Sequence, residues 1–319
     1  MVRRTPSTQA RRRSVLTTVA GAVAVTAALA YVLADRRDEL STALTAAPMW
    51  ILVVATALQL LALVSRTEAW RICVLAAGGT VGRRCLFRAA STGYVGSQLN
   101  SQIGTAVRIG ALRRAAPDEC PRVPALIAAE VPILTVEAVL AALASFTLVG
   151  PLGLPWWLPL VFLAVAALLA AVLRNAASRW REGFWSGLAV LRSLNGRTGV
   201  IALVIVAVLA QIARNWLMLE AVGVHASLFD ATAVLIAMVT LSQLPIGPSV
   251  GAAAVVLILG ADGAALTAAA GVLLTATGTA GALAYASWAG IDRLWTLRPG
   301  APRPPALPPV PRPSAELTH

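Results

Sequence analysis

Along this chain, long apolar stretches alternate with short polar segments rich in arginine. Six apolar runs stand out, at about 14–34, 43–64, 123–148, 156–173, 198–219 and 264–289. Each approaches or exceeds the ~20 residues that cross a hydrocarbon core of ~30 Å. The first run follows Arg11, Arg12 and Arg13 and contains Ala28-Leu29-Ala30, so a cleaved signal peptide is one reading. It is longer than the ~7–15 residues of a signal h-region, and we read it as an uncleaved span. Two further apolar stretches are interrupted. One, at 85–107, reads CLFRAASTGYVGSQLNSQIGTAV and is rich in Gly, Ser, Gln and Asn; the other, at 230–260, is broken at Leu244-Pro245-Ile246-Gly247-Pro248. Proline blocks helix continuation and glycine frees the backbone, so the second reads as two half-helices joined at membrane depth. Such a break survives in a membrane only when buried in protein or facing a wet cavity.

Charge orients the spans. The chain has 26 arginines and no lysine. They gather in 65–122 (Arg66, Arg71, Arg83, Arg84, Arg88, Arg108, Arg113, Arg114, Arg122), in 174–197, and in the segment from Arg293 to Arg312. The 149–155 turn has no charge, and 220–230 holds only Glu220 and Asp230. The positive-inside rule then places both termini in the cytoplasm. Both ends of 85–107 face inward and both ends of 230–260 face outward. The pieces fall into two units of opposite orientation, span–re-entrant–span, as in transporters whose broken helices meet near the midplane. The expected fold is an all-α integral membrane protein with about six transmembrane helices and two re-entrant segments in an inverted repeat. Residues 1–13 form a basic cytoplasmic N-terminus, 14–290 the membrane domain, and 291–319 a Pro-rich cytoplasmic tail.

Composition agrees. Hydrophobic residues make up 58% of the chain and charged residues 13%, more apolar surface than a soluble domain of this size hides. The net charge of +12 follows from topogenic arginines and calls for no nucleic-acid partner. All-Arg usage with abundant Ala, Val and Leu fits a GC-rich bacterial genome and a bacterial plasma membrane. Cys73, Cys85 and Cys120 are an odd set on the cytoplasmic side, expected as free thiols. The two histidines, His225 and His319, make no metal-ligand spacing with them, and neither metal nor cofactor is expected.

Polar residues inside the spans carry the candidate chemistry. Glu130 and Glu137, two helical turns apart, share a face of the third span, and the fifth carries Gln211, Arg214 and Asn215. At ~1.5 Å per residue, Glu137 lies about 21 Å and Arg214 about 24 Å from the cytoplasmic edge. One reading pairs them or places them in one polar cavity. The other lets Arg214 snorkel outward and leaves Glu137 neutral and hydrogen-bonded. Gln98, Asn100, Ser101 and Gln102 sit mid-way along the first re-entrant segment, with Arg108 beyond. The amides could line a headgroup path, and Arg108 could hold a lipid phosphate by charge-assisted bonds. Arg113 and Arg114 read as topogenic anchors. Gln243, Pro245, Gly247 and Gly251 form the corresponding break in the second segment. The stretch 177–195, with Trp180, Phe184, Trp185 and Leu188 among charges, reads as an interfacial amphipathic helix; Trp156 and Trp157 read as an outer aromatic belt.

This order of elements resembles the flippase-like membrane region of lysylphosphatidylglycerol synthases and their stand-alone relatives. The residues that carry the resemblance are Asn100, Gly104 and Arg108 in N-x-x-x-G-x-x-x-R, then Glu130 or Glu137, then Pro245, Gly247 and Gly251. Ser101 and Thr105 stand where the family usually has proline and an acid, and Gly251 is followed by Ala252, Ala253 and Ala254 rather than reaching a glutamate. No segment after the sixth span has the length of the family's aminoacyl-transferase domain, so that chemistry is not expected. The resemblance implies transport of an aminoacylated phosphatidylglycerol or a polyprenyl-linked glycolipid. The residues themselves suggest a membrane protein that moves or binds an anionic lipid, and the resemblance makes it a lipid flippase or transporter with anionic membrane lipids as partners. The alternatives are a non-transporting membrane partner or regulator and a membrane-embedded lipid-modifying enzyme, for which no nucleophile–base pair is visible.

Overall fold

The computed structural model describes residues 42, 45, 47–98, 101–180, 182–241, 250–259 and 264–296. The expected first span, most of both terminal segments, and Asn100, Gln243, Pro245 and Gly247 lie outside them. The described residues are helical and include no strand. In chain order the helices are α1 (Met49–Ala76), α2 (Arg83–Ser97), α3 (Ser101–Ala115), α4 (Val123–Ala128), α5 (Val131–Ala144), α6 (Val149–Leu152), α7 (Leu158–Arg179), α8 (Leu194–Ala221), α9 (Leu228–Leu241), α10 (Val250–Leu259) and α11 (Ala264–Thr296). Five stretches are long and apolar enough to cross a membrane: Met49–Ala76, Val123–Leu152, Leu158–Arg179, Leu194–Ala221 and Leu266–Arg293. They match the second to sixth expected spans and make this the fold of a multi-pass α-helical membrane protein.

At the centre, α1 and α8 pack along their lengths. Ile51 and Ala55, early in α1, join Met218 and Leu219, late in α8, in one apolar cluster; Trp70, Cys73 and Val74 join Val200 and Val204 in another. The two helices are therefore antiparallel. Between the clusters the contact is made by Ala62, Ala207 and Ala210. Small side chains let backbones approach, which matters where lipid supplies no hydrophobic drive between helices.

The two interrupted stretches are both helix pairs. α2 packs on α3, and α9 on α10. Thr80, before α2, donates its backbone N–H to the carbonyl of Glu119, beyond α3, at 3.0 Å, so the pair begins and ends at one place. Glycines allow the close approach. A Cβ on Gly104 would stand 2.7 Å from the Ser97 Cβ and 2.8 Å from the Gly93 carbonyl oxygen, and one on Gly93 would stand 2.6 Å from the Arg108 Cβ. Contacts also cross between the earlier and later helices: α11 packs on α2, and α5 touches α9.

Three boundaries differ from expectation. α1 runs on through Arg66, Glu68 and Arg71 to Ala76, where hydropathy ends the span near 64. The third span is broken at Ala129–Glu130. Pro132 has no N–H for the carbonyl four residues back, and its ring opposes that carbonyl. The stretch 177–195 is not one amphipathic helix. α7 continues to Arg179, and a 3₁₀ helix, Gly183–Arg192, packs against α4 and α7. Gly187 allows that contact, since a Cβ there would lie 2.3 Å from the Ala125 carbonyl oxygen. Arg192 then caps α7, donating Nε to the Ala177 carbonyl at 2.6 Å and Nη2 to that of Trp180 at 2.8 Å.

Candidate functional site

One side of α1 carries Gln59, Arg66, Thr67 and Trp70, at spacings that place them along a single face. Each meets a polar or charged group from another helix, and the result is a polar seam through an apolar bundle. At one end, Arg108 ion-pairs with Glu130, and its guanidinium lies over the Trp70 ring, 4.3 Å from the centroid. Arg108 is 7% exposed. The break before Pro132 delivers Glu130 to it, and the Gly93 and Gly104 contacts press α3 against α2. Next along the seam, Arg66 Nη2 donates to Glu137 Oε2 at 2.9 Å.

The middle is a hydroxyl cluster. Tyr285 donates its hydroxyl to Thr67 Oγ1 at 3.3 Å, and Tyr94 donates to the Leu63 carbonyl at 3.4 Å. Thr279 donates to Gln98 Oε1 at 3.1 Å, which ties α2 to α11. At the other end, Arg214 donates Nη1 to Gln59 Oε1 and Nη2 to the Leu274 carbonyl, the latter at 3.0 Å. Arg214 is 5% exposed and Asn215 1%. Among the described residues, the Arg214 Nε and the Asn215 Nδ2 find no hydrogen-bond acceptor, and Arg214 has no carboxylate partner.

The expected Glu137–Arg214 pair is thus not formed: Glu137 belongs to Arg66, and Arg214 to two neutral oxygens. Glu130 and Glu137 both face the seam, each with its own arginine. Arg108 is not an open guanidinium beyond the first interrupted segment. It lies inside α3 and is already engaged by Glu130. Gln98 joins the seam; Gln102 lies exposed at the start of α3. Gln59, Thr67, Trp70, Tyr94 and Tyr285 went unnoticed in the sequence, and Arg66 was read only as an arginine that orients the spans. One signal was present, since Gln59 is the single amide in the 43–64 run. Hydroxyls and aromatic residues within apolar runs give no such signal.

Outside this seam, Arg88 donates Nε to Asp292 Oδ2 at 2.6 Å, and Glu68 is shared by Arg71 and Arg83. The three cysteines are free, as expected. Among the described residues, no group of three or more His, Cys, Asp or Glu side chains could hold a metal ion. Comparison of the chain with family models, curated proteins and solved structures gives no match. The likeness to lysylphosphatidylglycerol synthases therefore rests on its short motifs.

Proposed function

We propose that this chain is a lipid flippase of a bacterial plasma membrane, with both termini cytoplasmic, and that it moves an anionic or aminoacylated phospholipid or a polyprenyl-linked lipid. Arg214 carries the proposal. A cation at mid-helix costs about 2.5–3.5 kcal/mol on insertion scales and is kept where it has a role. Arg108 and Arg66 have carboxylates to neutralise them. Arg214 has only neutral oxygens, and its Nε and the Asn215 Nδ2 are without acceptors among the described residues. That set suits an anion that comes and goes, because no fixed carboxylate must first be displaced. In this reading α2–α3 and α9–α10 are the two re-entrant pairs, and the inverted units alternate the seam between leaflets around the α1–α8 contact. The Arg108–Glu130 and Arg66–Glu137 pairs open and close along the headgroup path.

The test is translocation by purified protein in liposomes, comparing fluorescent phosphatidylglycerol, its lysyl form and a polyprenyl-phosphate sugar. We expect one of the three to be moved, and Arg214→Gln to slow it at least about tenfold by removing a charge-assisted contact. Rates equal to those of empty liposomes, or a variant as fast as the parent, would overturn the reading and favour a membrane regulator.

A further inference from the structure

A groove lies on the flank of the bundle, away from the seam. α5, α7 and α8 enclose a groove of about 420 Å³, within the ~300–1,000 Å³ range of ligand pockets, with the 3₁₀ segment contributing Val190 and Leu191. Its walls are almost wholly aliphatic, with Val136 and Leu140 from α5, Ala171 from α7 and Ile205 from α8. Two arginines complete the lining: Arg174, near the end of α7, and Arg197, in the first turn of α8. The chain turns between these helices, so both arginines stand at the same end of the groove. Neither guanidinium has an ion-pair or hydrogen-bond partner among the described residues. From Arg197 to Ile205 the groove descends about 12 Å along α8. It is open to the side: Ala171, Ile201 and Ile205 of its lining are exposed.

We infer that this groove holds one anionic phospholipid, with the phosphate on Arg174 and Arg197 and an acyl chain along Val136, Leu140 and Ile205. Charge complementarity chooses the occupant. Two unpaired cations at the mouth of an aliphatic trough match a headgroup of one negative charge above a hydrocarbon tail. The tail gains nothing from leaving water, since bulk lipid is as apolar as the groove. It contributes fit, and discrimination between lipids falls to the arginines. The site stands apart from Arg214 and does not need transport to be occupied.

Native mass spectrometry of the whole purified protein, in detergent with equal phosphatidylglycerol and phosphatidylcholine, tests this. The protein should keep phosphatidylglycerol preferentially. Arg174→Gln with Arg197→Gln should lower the preference about thirtyfold, the loss of two guanidinium contacts at a lipid surface. Ala171→Trp, at an exposed position that tolerates the larger side chain, should fill the groove and expel the lipid with both arginines in place. In an Arg214→Gln background, which removes the anion contact of the flippase reading, both groove variants should lower the retention by the same factor as in the parent. Retention at the parental ratio in either groove variant would overturn the inference.

Discussion

At the scale of single residues, two of the interior arginines, Arg66 and Arg108, are held in ion pairs, and Arg108 and Glu130 cannot be removed one at a time. Arg108 and Glu130 are both largely buried, and either alone would be an uncompensated charge. Breaking such a pair typically costs about 3–5 kcal/mol, whereas replacing both partners with apolar groups is often neutral. Arg108→Met and Glu130→Met should each lower the melting temperature in detergent sharply, and the double variant should recover most of the loss. Similar melting of all three would mean that the pair is solvated. Cys120, in the connection before α4, offers a residue-scale test outside the spans. Burial pushes its thiol up from the ordinary value; Cys85 adds to the rise, and Arg113 opposes it. The thiol also donates to the Leu112 carbonyl at 3.7 Å. Alkylation requires the thiolate. In a variant keeping only this cysteine, maleimide labelling near pH 8 should be slower folded than unfolded, and the gap should close as pH rises through the raised value. Much at this scale was not legible in the sequence. Glu130, Glu137, Arg108 and Arg214 are visible as costly residues within apolar surroundings, but the partner of Glu137 is 71 positions away and depends on how the helices cross.

At the scale of elements, close backbone approach decides where helices meet. The glycines of 85–107 marked an interruption of the apolar run, and Gly93 and Gly104 also allow α2 and α3 to touch. Gly104→Ala should therefore be destabilising by about 1–3 kcal/mol, the usual cost of overpacking. Gly110→Ala, in the same helix, meets only the Arg114 Nη2 at 3.7 Å and should be neutral or stabilising by up to about 1 kcal/mol through helix propensity. Equal melting of the two variants would show that the α2–α3 contact is looser than described. Element ends were the least legible part. Hydropathy stops at the first charge, but α1 passes through Arg66, Glu68 and Arg71 because these side chains pair with other groups. The break at Glu130 had a visible cause in Pro132, yet the apolar run on either side reads as one span.

For the whole molecule, the order of the pieces was legible because apolar length and arginine bias are both written along the chain, and five described stretches occupy the expected positions. Their relation in the bilayer can be tested through the α2–α3 pair. Each helix has 15 residues, about 22 Å of rise, too short to cross a ~30 Å core upright. The Thr80–Glu119 hydrogen bond joins the two ends of the pair. A re-entrant pair thus requires both ends on the arginine-rich side, with the α5–α7 and α8–α9 connections opposite. In a cysteine-free background, Thr80→Cys and Asp118→Cys should resist a membrane-impermeant maleimide in intact cells and react after lysis. Trp156→Cys and His225→Cys, both exposed on the poorly charged loops, should react at once. Labelling of Thr80→Cys and Asp118→Cys from opposite sides would make α2 and α3 a crossing and reverse every later span, and the two units would no longer be inverted. Labelling of both from the same side as His225→Cys would place the arginine-rich face outside. Alternating access at the seam depends on the remaining outcome, because only then do two half-crossing pairs enter the bilayer from opposite faces.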